Sequence, residues 1–172
     1  EYQARQIDAF GKMALKGLVH RRLRPVYWCH HEDCMTALAE DEIEYQTKVS
    51  PAIYVAFQFP EGTRPFGAEA QKAVPAGTNP EIVIWTTTPW TIPGNTGIAL
   101  NDSAEYVLLR ATLRGRTRFL VCALALMDTM VSECELQDVE ILGRAAGRDL
   151  EGMVAIHPIY GRDSRIVLAD YV

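Results

Sequence analysis

Apolar positions follow two different patterns along the chain. Between residues 1 and 18, Ile7, Phe10, Met13, Ala14 and Leu18 fall close to one face at helical spacing, which predicts a helix with Gly17 near its C-cap. Arg24-Pro25-Val26-Tyr27-Trp28-Cys29 then predicts a strand entered through a proline. Residues 36–40 predict a short turn or helix, and the alternation in Glu42-Ile43-Glu44-Tyr45 predicts another strand. From Ser50 onward the apolar residues gather in short β-branched runs. These predict strands at 53–57, 81–85, 106–109, 118–121, 139–142 and 166–168, and a helix over 123–131 laid across the sheet. Residues 60–80, rich in Gly and Pro, predict a surface excursion. The expected fold is mainly β with some α, a β-barrel-like body with covering helices. The expected organisation is a junction over 1–48 that cannot close a core by itself, followed by a self-contained body over 49–172.

Composition narrows the function classes. The 172 residues are 48% hydrophobic with a formal net charge of −5, well inside the globular regime. No apolar run approaches the roughly 18 residues of a membrane span, so no membrane partner is expected. The start at Glu1-Tyr2-Gln3-Ala4-Arg5 has neither an initiator methionine nor a signal-peptide core, which leads us to expect an excised segment of a larger cytoplasmic protein. Cys29, Cys34, Cys122 and Cys134 lack dense disulfide spacing, which favours reduced thiols. Mild acidity argues against a broad nucleic-acid surface, though not against a small site gripping one terminal nucleotide.

The chemistry is concentrated in Trp85-Thr86-Thr87-Thr88-Pro89-Trp90-Thr91-Ile92-Pro93-Gly94-Asn95. Pro89 and Pro93 fix φ and remove backbone donors, so the chain must leave the sheet here. The threonine hydroxyls can donate and accept together, which suits a ribose, an ester carbonyl or an ordered water. The plainer reading is a strand whose threonines satisfy β-propensity and whose tryptophans are core.

The whole string resembles the threonine-rich editing motif of the isoleucyl-tRNA synthetases. The valyl and leucyl enzymes usually carry an Arg-Pro-acid sequence after the threonines, where this chain has Pro89-Trp90. Lys16-Gly17-Leu18-Val19-His20-Arg21, Pro25-Val26-Tyr27-Trp28-Cys29, Thr36-Ala37-Leu38-Ala39-Glu40, Glu42-Ile43-Glu44-Tyr45 and Ser50-Pro51-Ala52-Ile53 resemble the same family in order. The resemblance implies an insertion in a class I synthetase that hydrolyses valine wrongly attached to tRNA(Ile), and valyl-adenylate as a further candidate substrate. This family is itself the standard illustration of why a second sieve is needed: one methylene is worth only about 1–3 kcal/mol to a hydrophobic pocket.

Carried over by resemblance, Thr86, Thr87 and Thr88 line the site around the terminal adenosine and the ester. Asn95 closes the motif, and Trp85 and Trp90 either shape the pocket or pack as core. None is a nucleophile; an oriented water attacks the ester while hydroxyls place it and stabilise the oxyanion. The implied partners are the valine-charged tRNA(Ile) 3′ end and the catalytic domain of the same polypeptide. No cofactor is implied for the hydrolysis, and ATP and Mg2+ belong to the synthetic site elsewhere. The family continues into Gly-Thr-Gly and His-Thr-Ala-Pro segments and an aspartate that grips the substrate amino group. This chain stops at Ala169-Asp170-Tyr171-Val172, so the expectation is one wall of the site and little activity in isolation. The rival readings are a non-catalytic module that holds the tRNA 3′ end or acts as a spacer, and the editing domain of a valyl or leucyl synthetase.

Weaker signals lie outside the motif. Cys29 and Cys34 carry the ligand type of a tetrahedral zinc site. Four residues separate them, where some relatives carry Cys-x-x-Cys, and no second pair follows, so a solvated loop is favoured over a metal. His20, Arg21, Arg22 and Arg24 form a basic run read as a solvated connection, with RNA phosphates as the alternative. His157, before Pro158, resembles a family loop position with a structural role, and Cys122 and Cys134 read as buried small hydrophobes.

Overall fold

Both faces of the central strands carry apolar residues, and this decides how the sheet is covered. In β4 (Glu105–Leu113) Tyr106 and Leu108 enter one core cluster while Val107, Leu109 and Ala111 enter a second. In β5 (Arg116–Ala123) Phe119 and Val121 join the first, and Leu120 and Cys122 the second. This is the period-two alternation of a strand buried on both sides. The computed structural model describes residues 1–172, the side chain of Gln71 aside, and the chain divides into two units, Glu1–Lys48 and Val49–Val172.

The larger unit holds an eight-stranded mixed sheet in the order β3-β8-β7-β1-β2-β5-β4-β6. Its other strands are β1 (Ile53–Gln58), β2 (Glu81–Thr86), β3 (Gly97–Leu100), β6 (Gln137–Ala146), β7 (Val154–Ile156) and β8 (Asp163–Leu168). Although β3 lies at one end of that order and β4 and β6 at the other, Ile98 and Leu100 share a core with Leu108, Leu142 and Ala145. The sheet is therefore curled, barrel-like, around one interior. The strands close together between β3 and β6: a Cβ on Gly147 would stand 1.9 Å from the Asn101 carbonyl oxygen, so only glycine fits there.

The reading of a helix over 123–131 corresponds to a 3-10 turn at Leu124–Leu126 followed by α3 (Met127–Glu133), whose Met130 plugs the second core cluster. The excursion over 60–80 differs from expectation. It contains a second helix, α2 (Gly67–Lys72), buries Ala70 and Val74, and packs on β6 so closely that a Cβ on Gly143 would meet the Ala70 Cβ at 2.8 Å.

Two predicted strands of the smaller unit do not form. Around residues 24–29 there is only an isolated antiparallel bridge, Trp28 to Ala37, and residues 40–42 make a 3-10 turn with no strand after it. The apolar pattern is present, but among the described residues no sheet offers these segments a partner. The helix α1 (Tyr2–Leu15) forms as expected and buries none of its residues.

Register positions the site. β2 pairs with β1 along its full length, Ile53–Thr86 to Gln58–Glu81, but with β5 only at Glu81 and Ile82. Beyond Ile82, β2 peels away from β5, and its last residues, Trp85 and Thr86, flank an open space.

Candidate functional site

Where β2 ends, the chain turns out of the sheet through a 3-10 helical turn, Pro89–Gly94, with Pro89 in its first positions and Pro93 inside it. Local hydroxyl bonds make the corner. Thr86 Oγ1 accepts the Thr88 amide at 3.0 Å and lies 3.2 Å from Thr88 Oγ1. The Thr91 hydroxyl donates to the Thr88 carbonyl at 2.7 Å, which folds the turn back on the strand. Asn95 caps the turn, its amide donating to the Ile92 carbonyl at 2.9 Å. The Asn95 side chain then donates to the Gly97 carbonyl at 2.8 Å and accepts from the buried Ser164 hydroxyl at 2.8 Å, tying the turn to β3 and β8.

Strand and turn enclose a cleft of about 660 Å³ lined by Trp85, Thr86, Trp90, Thr91, Asn95 and Thr96, with Ile84 and Ile92 at its apolar side. Trp85 and Trp90 are 56% and 66% exposed, so both tryptophans flank the opening instead of packing in the core. The lining offers hydroxyls, a carboxamide and aromatic faces, and none of its side chains ionises in the ordinary range. Such a surface can orient a water, hold a ribose and stack a flat ring.

Of the residues singled out from sequence, Trp85, Thr86, Trp90 and Asn95 come together at this cleft. Thr88 reaches it only through its bonds to Thr86, and Thr87, one residue past the end of β2, is exposed and lies outside the lining. Sequence reasoning missed Thr91 and Thr96 in the lining, and Arg162 and Ser164 behind it. Thr91 lies inside the string and Thr96 directly after it, so both had a local signal; Arg162 and Ser164 had none.

The cysteines separate into two kinds. Burial pushes the Cys122 thiol up to about 11, and Cys134 is raised for the same reason. Cys29 and Cys34 lie in a turn closed by the bond from the Cys29 amide to the Thr36 carbonyl at 2.9 Å. A hydrogen bond from Cys34 lowers the Cys29 thiol, and the same bond raises that of Cys34. Among the described residues no group of three or more Cys, His, Asp or Glu side chains is placed to hold a metal ion. The pair therefore supplies two of the four donors zinc takes and does not make a closed site.

The curled mixed sheet has counterparts among solved structures. The chain is similar in structure to the Plasmodium knowlesi cytosolic leucyl-tRNA synthetase editing domain, with TM-score 0.53 and 10% identity over 70% of this chain and 54% of that one. It is also similar to the P. falciparum cytosolic leucyl-tRNA synthetase editing domain, with TM-score 0.50 and 15% identity over 56% and 38%. The family model of the class I tRNA synthetases (I, L, M and V) matches residues 1–155, and the chain belongs to that family. Within it, the chain is 44% identical over 172 residues to an isoleucine–tRNA ligase of Thermoanaerobacter sp. (strain X514) and 45% identical over 173 residues to that of Bacillus licheniformis. In both cases it is matched over 100% of its length and spans 17% of the relative's. No helix among the described residues is long and apolar enough to cross a membrane.

Proposed function

We propose that this chain is the editing module of an isoleucine–tRNA ligase and hydrolyses the ester of valine mischarged onto tRNA(Ile). The observation that carries the reading is the cleft beside Thr86, whose lining holds hydroxyl and carboxamide groups without an ionisable side chain. Similarity to isoleucine–tRNA ligases over the whole chain supports the choice of amino acid.

In this reading the 3′-terminal ribose lies against Thr86 and Thr88, with the purine on an exposed tryptophan face and the valine side chain against Ile84 and Ile92. A water held by the threonine hydroxyls attacks the ester carbonyl; the bond from that carbon to the ribose oxygen then breaks, the ribose oxygen takes a proton from the attacking water, and valine leaves as the free acid. As the carbonyl oxygen gains charge, hydroxyl and amide donors of the corner stabilise it; one such donor is worth roughly 2.7–4 kcal/mol in acyl transfer. Selection in this reading is steric: a site fitted to valine discriminates against isoleucine by its one extra methylene. The hydrolysis takes no cofactor. ATP and Mg2+ serve the synthetic site of the same polypeptide, which works in the cytoplasm, and zinc at Cys29 and Cys34 would require ligands from beyond these residues.

The test is deacylation of valine-charged and isoleucine-charged tRNA(Ile) by the intact ligase. Loss of valine alone is expected. Equal loss of both amino acids contradicts the sieve, and stability of both leaves a non-catalytic module that only holds the tRNA end.

A further inference from the structure

The loop between β7 and β8 carries a second set of contacts onto the same turn, from residues 65–69 positions away in sequence. His157 is 1% exposed, and its Nε2 lies 2.8 Å from the Ile92 carbonyl oxygen. Its Nδ1 faces the amides of Ile159 at 3.1 Å and Tyr160 at 3.3 Å. Amides only donate and carbonyls only accept, so Nδ1 must be the acceptor and Nε2 must carry the proton given to Ile92. One ring thus links its own loop to the turn that bears Trp90 and Thr91. Arg162 Nη2 donates to the Pro93 and Asn95 carbonyls, each at 2.7 Å, and so holds the turn's last residues. A stack supports both groups: the Arg162 guanidinium sits 5.6 Å over the Tyr160 ring, and Tyr160 lies 5.3 Å from His157.

A turn with two prolines has few amides of its own to hold it. At its two ends, backbone bonds run from Thr91 to the Thr88 carbonyl and from Asn95 to the Ile92 carbonyl. The external contacts fall on the three carbonyls that follow, those of Ile92, Pro93 and Asn95. They hold the turn whose Trp90 and Thr91 line the cleft together with Thr86.

We propose that His157 and Arg162 are positioning residues that clamp the Pro89–Gly94 turn and thereby set the size limit of the cleft for the acyl group. The proposal rests on the editing reading for what is selected, while the clamp itself stands on geometry alone. A wall that moves by the width of a methyl group no longer separates two side chains that differ by one methylene.

The test uses the intact ligase and three variants. H157Q keeps a donor where Nε2 was. H157N keeps an acceptor near Nδ1 but cannot reach Ile92. R162M removes both donations from an exposed position, so folding is not at risk. Amide hydrogen exchange over residues 88–95 reports the clamp, and the ratio of valine to isoleucine deacylation rates reports selection. In H157N and R162M the exchange is expected to rise about tenfold or more, and the valine preference to fall by a similar factor, through faster loss of isoleucine. H157Q restores both toward the wild type. Unchanged exchange in H157N and R162M overturns the clamp. Equal loss of protection in H157Q and H157N, with equally lowered melting temperatures, reduces His157 to a folding role and also overturns it. Faster exchange with intact discrimination overturns the claim about selection. If the wild-type ligase deacylates neither charged tRNA, the editing reading fails, and the exchange measurements still decide the clamp.

Discussion

Replacing Asn95 by alanine removes the bond that ties the turn to β3 and β8 and leaves a buried hydroxyl alone. Its carboxamide makes two side-chain bonds of 2.8 Å, one donated to Gly97 and one accepted from Ser164, which is 0% exposed. Each bond contributes about 1 kcal/mol net, and an orphaned buried hydroxyl costs about 1–3 kcal/mol. Asn95→Ala should therefore destabilise the β-body by roughly 2–4 kcal/mol. Ser164→Ala should cost about 1 kcal/mol, because the half-buried Asn95 carboxamide can turn to water. In the double variant no hydroxyl is left to orphan, so the total should fall short of the sum by about 1–2 kcal/mol. Urea unfolding of the chain, followed by circular dichroism for the wild type and the three variants, measures that coupling. Additivity within about 0.3 kcal/mol would refute the contact and, with it, the tie between the turn and β8.

Gly147→Ala places a methyl 1.9 Å from the Asn101 carbonyl oxygen, a backbone atom that cannot yield, and should cost about 3 kcal/mol or more in the same unfolding assay. Leu108→Ala empties a site that is 0% exposed in the shared core and should cost about 2–5 kcal/mol, lowering the melting temperature. Thiol alkylation should rank the cysteines. At about pH 8 the thiolate fraction is greatest where the thiol is lowered, so Cys29 should label first and Cys122, raised to about 11 by burial, last, as read by peptide mass spectrometry. Rapid labelling of Cys122 in the folded chain would contradict its place in the core.

What could be read from sequence follows from the length and partners of each segment. β1, β2, β4 and β5 each carry at least four consecutive apolar residues, and they form where the pattern puts them. β3 and β7 span four and three residues, too short for alternation to register, and they escaped notice. The segments at 24–29 and 42–45 have the pattern without a sheet to join. At the site, the threonine string located the corner because prolines and hydroxyls act locally. Whether the tryptophans were core or rim was open in the sequence, and their exposure, 56% and 66%, places them at the rim. His157 was read as structural from its loop position, but its hold on Ile92 crosses 65 positions, and Arg162 and Ser164 reach Asn95 across 67 and 69. Such pairings carry no local signal.

The most direct measurement is single-turnover deacylation of valine-charged tRNA(Ile) by the intact ligase beside a Thr87→Ala/Thr88→Ala variant. Loss of the Thr88 hydroxyl removes one of the two contacts to Thr86 Oγ1, the Thr88 amide keeping the other, and the account predicts rapid release of valine by the wild type, slowed by about tenfold or more in the variant, with isoleucine-charged tRNA(Ile) spared by both. Valine release at the same rate in both enzymes would contradict a threonine-built site at the end of β2.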